Sequence, residues 1–287
     1  MYYINGRYVT KAEEANISIL DLAILRGFSV FDFLRTYKGR PFHLQDHLLR
    51  LQYSAAHVGL TLPHTLEEME QIVLAVQKQY GAPEASLKML ITGGTSSDQF
   101  TPCPQNSCIV FAYPLTSFPS HYYTEGVKVI TTRLNRSLPT AKTTQYTPAI
   151  VAMQKGRAQN AVEALYLNAQ DEILEATTSN FFAFKGDTLY TCCSDEVLIG
   201  ITSAVVQKIA SHHYPIQTRA LHYSQLPEIK EAFLTSSNKE ILPIIQVDST
   251  TIGNGKVGVK TQHLMDLFRT YTQGLEWPAL NIPRYKV

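Results

Sequence analysis

Two residues near the middle of the chain have side chains and positions suited to catalysis. Lys142 precedes a run of apolar residues at helical spacing that opens at Pro148, where proline costs a helix little. Glu175 follows two short segments, Ala164–Leu167 and Glu172–Leu174, which predict strands around a polar turn. Lys142 and Glu175 are 33 residues apart, and each lies at the end of a predicted helix or strand. Such positions can bring a nucleophilic amine and a carboxylate to the same pocket. Surface lysines and strand-end glutamates are common, so the pair alone also fits two solvated residues.

The elements that position this pair predict an α+β protein, because strands and helices occur together without strict alternation. Asn5-Gly6 predicts a hairpin between Tyr2–Ile4 and Arg7–Val9, since both turn residues tolerate positive φ. Further strands are predicted at Ser29–Tyr37, Pro41–His43, Leu87–Thr92, Ser107–Ala112, Val127–Thr132, Ile216–Leu221, Ala232–Thr235 and Glu240–Val247. Helices are predicted at Leu44–Val58, from a Thr65–Glu68 capping box to about Tyr80, from Pro148 onward, at Thr202–His213 and at Val259–Thr272.

The segment Pro114–His121, with two prolines and two serines, predicts a linker between two domains. Residues 1–113 then form a smaller N-terminal α+β domain, and residues 122–287 form a larger C-terminal domain that carries Lys142. A chain of 287 residues is long enough for two such domains with substantial cores.

Composition argues against nucleic-acid and membrane partners. The net charge is +1 with 17% charged residues, and no basic run is interleaved with aromatic residues. No apolar stretch approaches the ~20 residues that span a bilayer. The four cysteines lack metal-site spacing and predict free thiols in a cytoplasmic protein. His43 and His47 lie at helical spacing, but we expect surface residues rather than metal ligands there.

Three motifs between residues 175 and 202 carry a family resemblance. They are Glu175-Ala-Thr-Thr-Ser-Asn-Phe-Phe182, Leu189-Tyr-Thr191 and Leu198-Ile-Gly-Ile-Thr202. With their spacing from Lys142, they resemble the class IV pyridoxal-phosphate aminotransferases, also called fold type IV. This family includes branched-chain and D-amino acid aminotransferases and aminodeoxychorismate lyase. The resemblance covers nearly the whole chain, although Ser203 stands where the family usually has a basic residue. It implies the two-domain fold type IV architecture, pyridoxal 5'-phosphate as cofactor and a homodimer.

The resemblance assigns roles around the cofactor ring. Lys142 matches the lysine that bonds covalently to the cofactor aldehyde and moves the Cα proton, whereas Lys155 is expected to be solvated. Glu175 matches the carboxylate that faces the pyridine nitrogen. Thr178 belongs to the turn of small hydroxyl residues that lets the ring approach closely. Tyr146 stands near the tyrosine that contacts the 3′-oxygen, four residues after the lysine where branched-chain enzymes have five, and a core tyrosine is the alternative.

The resemblance also implies a receptor for the cofactor phosphate. Arg50 matches the phosphate arginine, and Ile201 and Thr202 offer backbone N–H groups at a helix N-terminus. Ser237 stands where the family uses a threonine. Singly, Arg50 also fits an exposed helix charge and Ser237 a turn serine. Together they come from both halves of the chain, which suggests a cofactor between the domains.

The predicted substrate pocket departs from the branched-chain pattern. Phe31, Phe33 and Arg35 lie on the strand that lines the pocket in branched-chain enzymes, and Phe33 replaces a glycine, which narrows or reshapes the pocket. Asn238 is a candidate for binding the substrate carboxylate through its backbone N–H, and Arg35 and Arg136 remain alternatives.

The resemblance implies an aminotransferase nearest to the branched-chain type. The Gly93–Pro102 loop lacks the R-x-H set with which D-amino acid enzymes bind the substrate carboxylate. Two alternatives stay open, namely an aminodeoxychorismate lyase and a non-catalytic cofactor-binding or scaffold protein. The sequence leaves the amino donor and its handedness open.

Overall fold

The computed structural model describes residues 1–274 and 276–285, which form two compact units. Unit 1 comprises Met1–Thr116, Ala141–Gln145 and the described part of Leu275–Val287; unit 2 comprises Ser117–Thr140 and Tyr146–Gly274. The predicted linker at 114–121 contains the first passage from unit 1 to unit 2. Compactness does not test which segments fold independently, so the domain boundaries at 113 and 122 stay a prediction.

Unit 1 is built on an antiparallel sheet of six strands in the order β2-β1-β6-β5-β3-β4. Its strands are β1 (Tyr2–Ile4), β2 (Arg7–Val9), β3 (Ser29–Tyr37), β4 (Arg40–Pro41), β5 (Ala85–Thr92) and β6 (Ser107–Pro114). Its α-helices are α1 (Leu22–Arg26), α2 (Leu44–His57) and α3 (Leu66–Tyr80). The apolar sides of α2 and α3 share one buried core with this sheet.

Strand β3 sorts its side chains onto two faces by its period of two residues. Val30 and Leu34 are fully buried in the core shared with α2, and Asp32 lies on the same face. Phe33 and Arg35 on the other face are only half-buried. The pocket residues predicted from sequence and the core residues therefore come from opposite faces of one strand.

Unit 2 contains a ten-stranded mixed sheet and four α-helices. Its strands are β7 (Val127–Arg133), β8 (Ala164–Leu167), β9 (Glu172–Ala176), β10 (Asn180–Lys185), β11 (Thr188–Thr191), β12 (Ile216–Gln217), β13 (Leu221–His222), β14 (Glu231–Ser236), β15 (Glu240–Val247) and β16 (Thr250–Thr251). Its helices are α4 (His121–Thr124), α5 (Thr147–Arg157), α6 (Ile201–Ala210) and α7 (Val259–Thr272). The order β12-β11-β10-β14-β15-β7-β8-β9-β13 includes three parallel pairs, β7 with β8, β7 with β15 and β11 with β12.

A single residue pair closes part of this sheet into a ring. Asn180 of β10 pairs with Glu175 of β9 on one side and with Thr235 of β14 on the other. Strands β10, β14, β15, β7, β8 and β9 thereby follow one another back to β10. The ring closes at Glu175 and Asn180, both of which belong to the first sequence motif.

Two strands predicted from the sequence differ in the structure: one is divided into two strands and the other is longer than predicted. The predicted strand Ile216–Leu221 is wrong as one element, because β12 pairs with β11 whereas β13 pairs with β9. The chain must turn between these partners, and a local pattern does not reveal which strands they are. Strand β9 continues to Ala176, so Glu175 lies within the strand and not after it.

Candidate active site

Lys142 is fixed in unit 1 by backbone hydrogen bonds. The segment 141–145 runs beside β3, where the Phe31 N–H donates to the Lys142 carbonyl at 2.9 Å and the Thr144 N–H donates to the Ser29 carbonyl at 3.0 Å. The Lys142 N–H donates to Ser54 Oγ of α2 at 3.1 Å. The Lys142 Nζ atom lies 4.7 Å from the centroid of the Phe31 ring. The backbone of Lys142 is therefore fixed, and its amine lies over an aromatic ring.

A second ammonium group, missed by the sequence analysis, shares this ring. Lys88 Nζ also lies 4.7 Å from the Phe31 centroid, and burial lowers the pKa of Lys88. Lys88 stands opposite Phe33 in the β3–β5 register. The available signal was a single charged residue within the otherwise uncharged strand Ala85–Thr92.

Arg50 is buried and bonded to a carboxylate, so its alternative interpretation as an exposed helix charge is wrong. Its Nε and Nη2 atoms donate to the two oxygens of Asp32, each at 2.8 Å. His47 Nδ1 lies 2.6 Å from Asp32 Oδ1. Burial alone would raise the pKa of Asp32, but the charges of Arg50 and His47 outweigh burial and lower it. Asp32 holds the guanidinium of Arg50 in a single orientation.

The expectation that His43 and His47 are surface residues is also wrong. Both are buried, and His43 Nδ1 lies 2.8 Å from Asp46 Oδ2. The reason is that α2 and β3 pack together, so polar side chains there lose water and pair with one another. Among residues 1–274 and 276–285, no group of three His, Cys, Asp or Glu residues could hold a metal ion.

The backbone of Lys142 contacts the helix that carries Arg50. Ser54, which accepts from the Lys142 N–H, lies four residues after Arg50 on α2 and therefore on the same helix face. The backbone of Lys142 is thus fixed to the same helix that holds Arg50.

Glu175 accepts hydrogen bonds from two donors in unit 2. Arg136 Nη1 donates to Glu175 Oε1 at 2.9 Å, and the Leu198 N–H donates to Oε2 at 3.2 Å. Tyr166 lies nearby, and burial together with the charge of Glu175 raises the pKa of its hydroxyl. Arg136, one of the open alternatives for the substrate carboxylate, is thus occupied with Glu175.

The structure gives a physical reason for two residues of the sequence motifs, Asn180 and Gly200. Asn180 Nδ2 donates to the Leu198 carbonyl at 2.8 Å, which ties β10 to the turn before α6. A Cβ atom at Gly200 would overlap Asn180 Oδ1. The amide of Asn180 and the missing side chain at 200 are therefore parts of one local arrangement.

The N-terminus of α6 is suited to an anion. Gly200 is its N-cap and offers no side-chain cap, and the first turn contains no acidic residue. Ile201 and Thr202, predicted to present backbone N–H groups to a phosphate, open this helix. Ser237 lies half-buried in the turn between β14 and β15, and Asn238 Oδ1 in the same turn accepts from Ser236 Oγ at 3.0 Å.

The predicted site residues of unit 2 lie at one edge of its sheet. Asn180 lies between Glu175 and Thr235 in the strand register and also bonds to Leu198, so the turn at Thr178, the start of α6 and the turn at Ser237 all lie beside it. Tyr146 is the half-buried N-cap residue of α5.

The remaining predictions divide between the two units. Arg35, in unit 1, donates to Glu84 at 2.9 Å and lies 4.2 Å from the Tyr37 ring centroid, so it is tied to its own sheet. Lys155 is exposed, as expected for a lysine that does not bind a cofactor.

Each unit offers part of what pyridoxal phosphate requires. Unit 1 supplies the Lys142 amine beside an aromatic ring and the fixed guanidinium of Arg50. Unit 2 supplies the carboxylate of Glu175, paired with Arg136, and a helix N-terminus at Gly200 without a side-chain cap. An aldehyde, a pyridinium nitrogen and a phosphate dianion need these donors and acceptors, so the residues present fit the cofactor.

A buried ion pair that the sequence did not predict lies beneath the turn of hydroxyl residues at 177–179. Glu163 accepts hydrogen bonds from Thr177, Thr178 and Ser179, and Lys239 Nζ lies 2.7 Å from its Oε1 atom. A glutamate directly before the buried strand β8 was the available signal.

Comparison with known families and relatives places these observations in context. The family described as amino-transferase class IV matches residues 29–247, more than half of the chain. A D-alanine aminotransferase of Staphylococcus epidermidis is 27% identical over 276 residues, which cover 94% of this chain and 97% of that protein.

Solved structures of high similarity are branched-chain amino acid aminotransferases. The T.th. enzyme with pyridoxamine 5'-phosphate has a TM-score of 0.89 and 26% identity, covering 96% of this chain and 94% of that chain. The enzyme of Thermoproteus uzoniensis with norvaline has a TM-score of 0.85 and 28% identity, covering 97% and 96%. The predicted α+β architecture of fold type IV is confirmed by this likeness.

Proposed function

Because this chain belongs to the class IV aminotransferases, enzymes that use pyridoxal phosphate, we propose that Lys142 is its catalytic lysine. The observation that carries the proposal is the fixed position of Lys142, whose backbone bonds to both β3 and α2 while its amine lies over Phe31. The reaction moves an amino group from an amino acid to a 2-oxo acid. Membership in an enzyme family replaces the alternative of a non-catalytic scaffold.

When bound, pyridoxal phosphate supplies an aldehyde that condenses with amines and a ring that accepts the electron pair left at Cα. Lys142 Nζ would hold the cofactor through its aldehyde, and as a free amine it would take the proton from the substrate Cα. Arg50 binds the phosphate through its guanidinium, whose orientation Asp32 sets. The hydrogen bond from the Lys142 N–H to α2, the helix that carries Arg50, supports these two roles.

In unit 2, Glu175 is assigned to the ring nitrogen, where its negative charge favours the protonated ring. Arg136 supports this role because its guanidinium forms an ion pair with Glu175 and orients the carboxylate. The backbone N–H groups of Ile201 and Thr202 and the hydroxyl of Ser237 are assigned to the phosphate. The ring oxygen is assigned to Tyr146 and the turn beside the ring to Thr178.

Substrate selection is assigned to Phe31, Phe33, Arg35 and Asn238. We infer a pocket nearest to the branched-chain type but altered, because the ring of Phe33 occupies the half-buried face of β3. The two solved relatives are branched-chain enzymes at 26% and 28% identity, while the D-alanine enzyme is 27% identical, so identity alone does not separate these substrate classes. The face of β3 carries the inference.

We also propose that the enzyme is a homodimer that works in the cytoplasm. Ile19 and Ile24 are 79% and 61% exposed, and Phe100 is 77% exposed on a segment joined to theirs by the Asp21–Thr95 bridge. Apolar residues exposed together in this way favour a second copy as their cover. Cys103, Cys108 and Cys192 are free thiols, which favours a reducing compartment.

The first experiment identifies the lysine. The protein is loaded with pyridoxal phosphate, reduced with borohydride and digested, and the peptides are analysed by mass spectrometry. We expect the phosphopyridoxyl group on the peptide that contains Lys142, and we expect Lys142→Ala to lose both the label and all measurable transamination. Lys155→Ala, which removes an exposed lysine of α5, is the matched control and should keep both. A label on another lysine, or none, would refute the assignment.

The second experiment identifies the reaction. A panel of L- and D-amino acids is scored by loss of the cofactor absorbance and by the pyridoxamine phosphate formed in a single turnover. We expect conversion with branched-chain L-amino acids. If no donor converts the cofactor, and aminodeoxychorismate instead yields pyruvate and 4-aminobenzoate, the chain is the lyase of this family and the aminotransferase proposal fails.

A further inference from the structure

Glu163 is a buried carboxylate to which the reaction described above gives no role. It lies directly before β8 and is 1% exposed. Thr178 Oγ1 donates to Glu163 Oε1 at 2.5 Å and Ser179 Oγ at 2.9 Å, while Thr177 Oγ1 and the Thr178 N–H donate to Oε2. All three residues of the turn between β9 and β10 are thus bound to one carboxylate.

Lys239 reaches the same carboxylate from a different turn. Its Nζ atom lies 2.7 Å from Glu163 Oε1 and donates to Thr178 Oγ1 at 2.7 Å and to Ser179 Oγ at 3.3 Å. The side chains of Lys239 and Glu163 are 8% and 2% exposed. The three N–H bonds of the ammonium have three oxygen acceptors, so Lys239 is engaged within the protein and is not presented to a substrate.

The ionised state of Glu163 depends on these partners. Burial opposes ionisation of Glu163, but the charge of Lys239 and the hydrogen bonds from Lys239, Thr177 and Thr178 outweigh burial and lower the pKa of the carboxyl group. Buried ion pairs often add little to stability compared with apolar residues of similar volume, because both ions lose their water. We therefore expect the pair to contribute little to the free energy of unfolding and to act mainly by fixing the geometry of the two turns.

The two turns that the pair joins both carry residues of the proposed site. Turn 177–179 contains Thr178, assigned to the cofactor, and turn 237–239 contains Ser237 and Asn238, assigned to the phosphate and the substrate carboxylate. The β14–β15 hairpin closes this second turn with Glu240 at a φ of 58°, a left-handed conformation that side chains with a Cβ seldom adopt. A strained three-residue loop needs a contact that fixes it, and Lys239 supplies that contact.

We propose that Lys239 is a positioning residue, whose ion pair with Glu163 holds turn 237–239 against turn 177–179 before any ligand arrives. The inference rests on the proposed function, since it assigns the two turns to cofactor and substrate. A preset loop spares the ordering cost at binding, so the pair acts on affinity for cofactor and substrate more than on the rate of the proton transfer at Lys142. The side chain at 239 touches neither ligand.

The test uses three variants of the full-length enzyme. Lys239→Met keeps the length of the side chain and removes its charge and its hydrogen bonds. Glu163→Gln combined with Lys239→Met removes both charges, so no unpaired ion stays buried. Lys185→Met is the matched control, because the Lys185–Glu228 ion pair of the same unit has a similar length of 2.6 Å, while its side chains are 33% and 53% exposed.

Each variant is stripped of cofactor, and the Kd for pyridoxal phosphate, the melting temperature, kcat and KM are then measured. For Lys239→Met we expect a lower melting temperature and a Kd raised about five- to tenfold. The KM for the amino acid should rise by a similar factor and kcat should change less. The double variant should regain the melting temperature but keep the weakened Kd and KM, since methionine cannot join the turns. The control should match the unaltered enzyme in all four quantities.

Two outcomes overturn the proposal. If Lys239→Met leaves Kd and KM unchanged, the ion pair does not position the turns. If the double variant regains Kd and KM together with the melting temperature, the pair only prevents an unpaired buried charge. Failure of the proposed function looks different, because the unaltered protein would then bind no pyridoxal phosphate or would carry the borohydride label away from Lys142.

Discussion

A single missing carbon at position 200 shapes the edge of unit 2 where Glu175 lies. Asn180 Oδ1 occupies the space that a Cβ at Gly200 would need, and its Nδ2 atom holds the Leu198 carbonyl at 2.8 Å. The Leu198 N–H in turn donates to Glu175. One glycine thus allows a chain of contacts that runs from the start of α6 to the carboxylate assigned to the cofactor ring.

Gly200→Ala should therefore disturb the contact between Asn180 and the turn before α6. The added methyl group must displace the Asn180 amide and break its bond to Leu198, which we expect to cost about 1–3 kcal/mol of unfolding free energy. Cofactor affinity should fall as well, because the same turn begins the anion-binding end of α6. Urea unfolding and titration with pyridoxal phosphate measure the two effects.

Gly156→Ala is the control for this substitution. Gly156 lies inside α5, and the nearest atom to a Cβ there would be 3.5 Å away, an ordinary contact. Alanine should stabilise the helix by roughly 0.5–1 kcal/mol. If Gly200→Ala proves as harmless as Gly156→Ala, the contact between Asn180 and residue 200 has been given too much weight.

At this same scale, the sequence predicted residues with distinctive types but not their partners. Lys142 and Glu175 could be singled out because the motifs from Glu175 to Thr202, and their spacing from Lys142, resemble those of a known family. Glu163 and Lys239 could not, because their pairing joins positions 76 residues apart, from 163 to 239, through the fold alone. The partner of Arg50, Asp32, was also hidden, since each of the two residues reads as an ordinary polar residue in its own segment.

At the scale of elements, the packing of β3 against α2 changes the pKa of a buried histidine. His47 is buried between them, and burial lowers its pKa despite the opposing charge of Asp32, while Arg50 and His43 add to the lowering. Below the ordinary histidine pKa of about 6.5, the unfolded chain binds a proton at this position that the folded chain does not bind. Stability should therefore decrease as the pH falls from about 7 towards 5.

His47→Gln should remove this part of the pH dependence. The slope of unfolding free energy against pH should fall by up to about 1.4 kcal/mol per pH unit within that window. The contribution of Asp32 is separate, because its lowered pKa gives stability that is lost only below about pH 4. His57→Gln, at an exposed position of the same helix, is the control and should leave the slope as it is. An unchanged slope in His47→Gln would show that His47 is not the responsible group.

Elements with local chemical signals were predicted closely, and those fixed by distant partners were not. The Thr65–Glu68 capping box and Gly81 define α3 at both ends, and the Asn5-Gly6 turn defines the first hairpin. These signals act within a few residues. The split of the predicted strand Ile216–Leu221 depends instead on pairing with β11 and β9, strands that lie far away along the chain.

For the whole molecule, the order of the chain hides which segments belong together. Residues 141–145 and the described residues after 275 belong to unit 1, although a single cut in the sequence assigns them to the second domain. Trp277 packs against Phe42 with centroids 4.8 Å apart, and the Leu280 N–H donates to Asp46 Oδ1 at 3.0 Å. Such returns are tertiary contacts with no local pattern, so composition does not reveal them. Within the described residues, no helix is long and apolar enough to cross a membrane.

The exposed apolar residues of unit 1 give the proposed homodimer its test. Ile24→Glu replaces one of the three exposed apolar residues Ile19, Ile24 and Phe100 with a charged residue. Burying that charge at an interface without a partner is costly. We expect the unaltered protein to have twice the chain mass in light scattering and Ile24→Glu to shift towards the monomer, with weaker cofactor binding. Val259→Glu alters a residue of unit 2 that is 84% exposed and should stay dimeric. A monomeric unaltered protein, or an Ile24→Glu variant that dimerises as tightly as the control, would exclude this surface as the dimer interface.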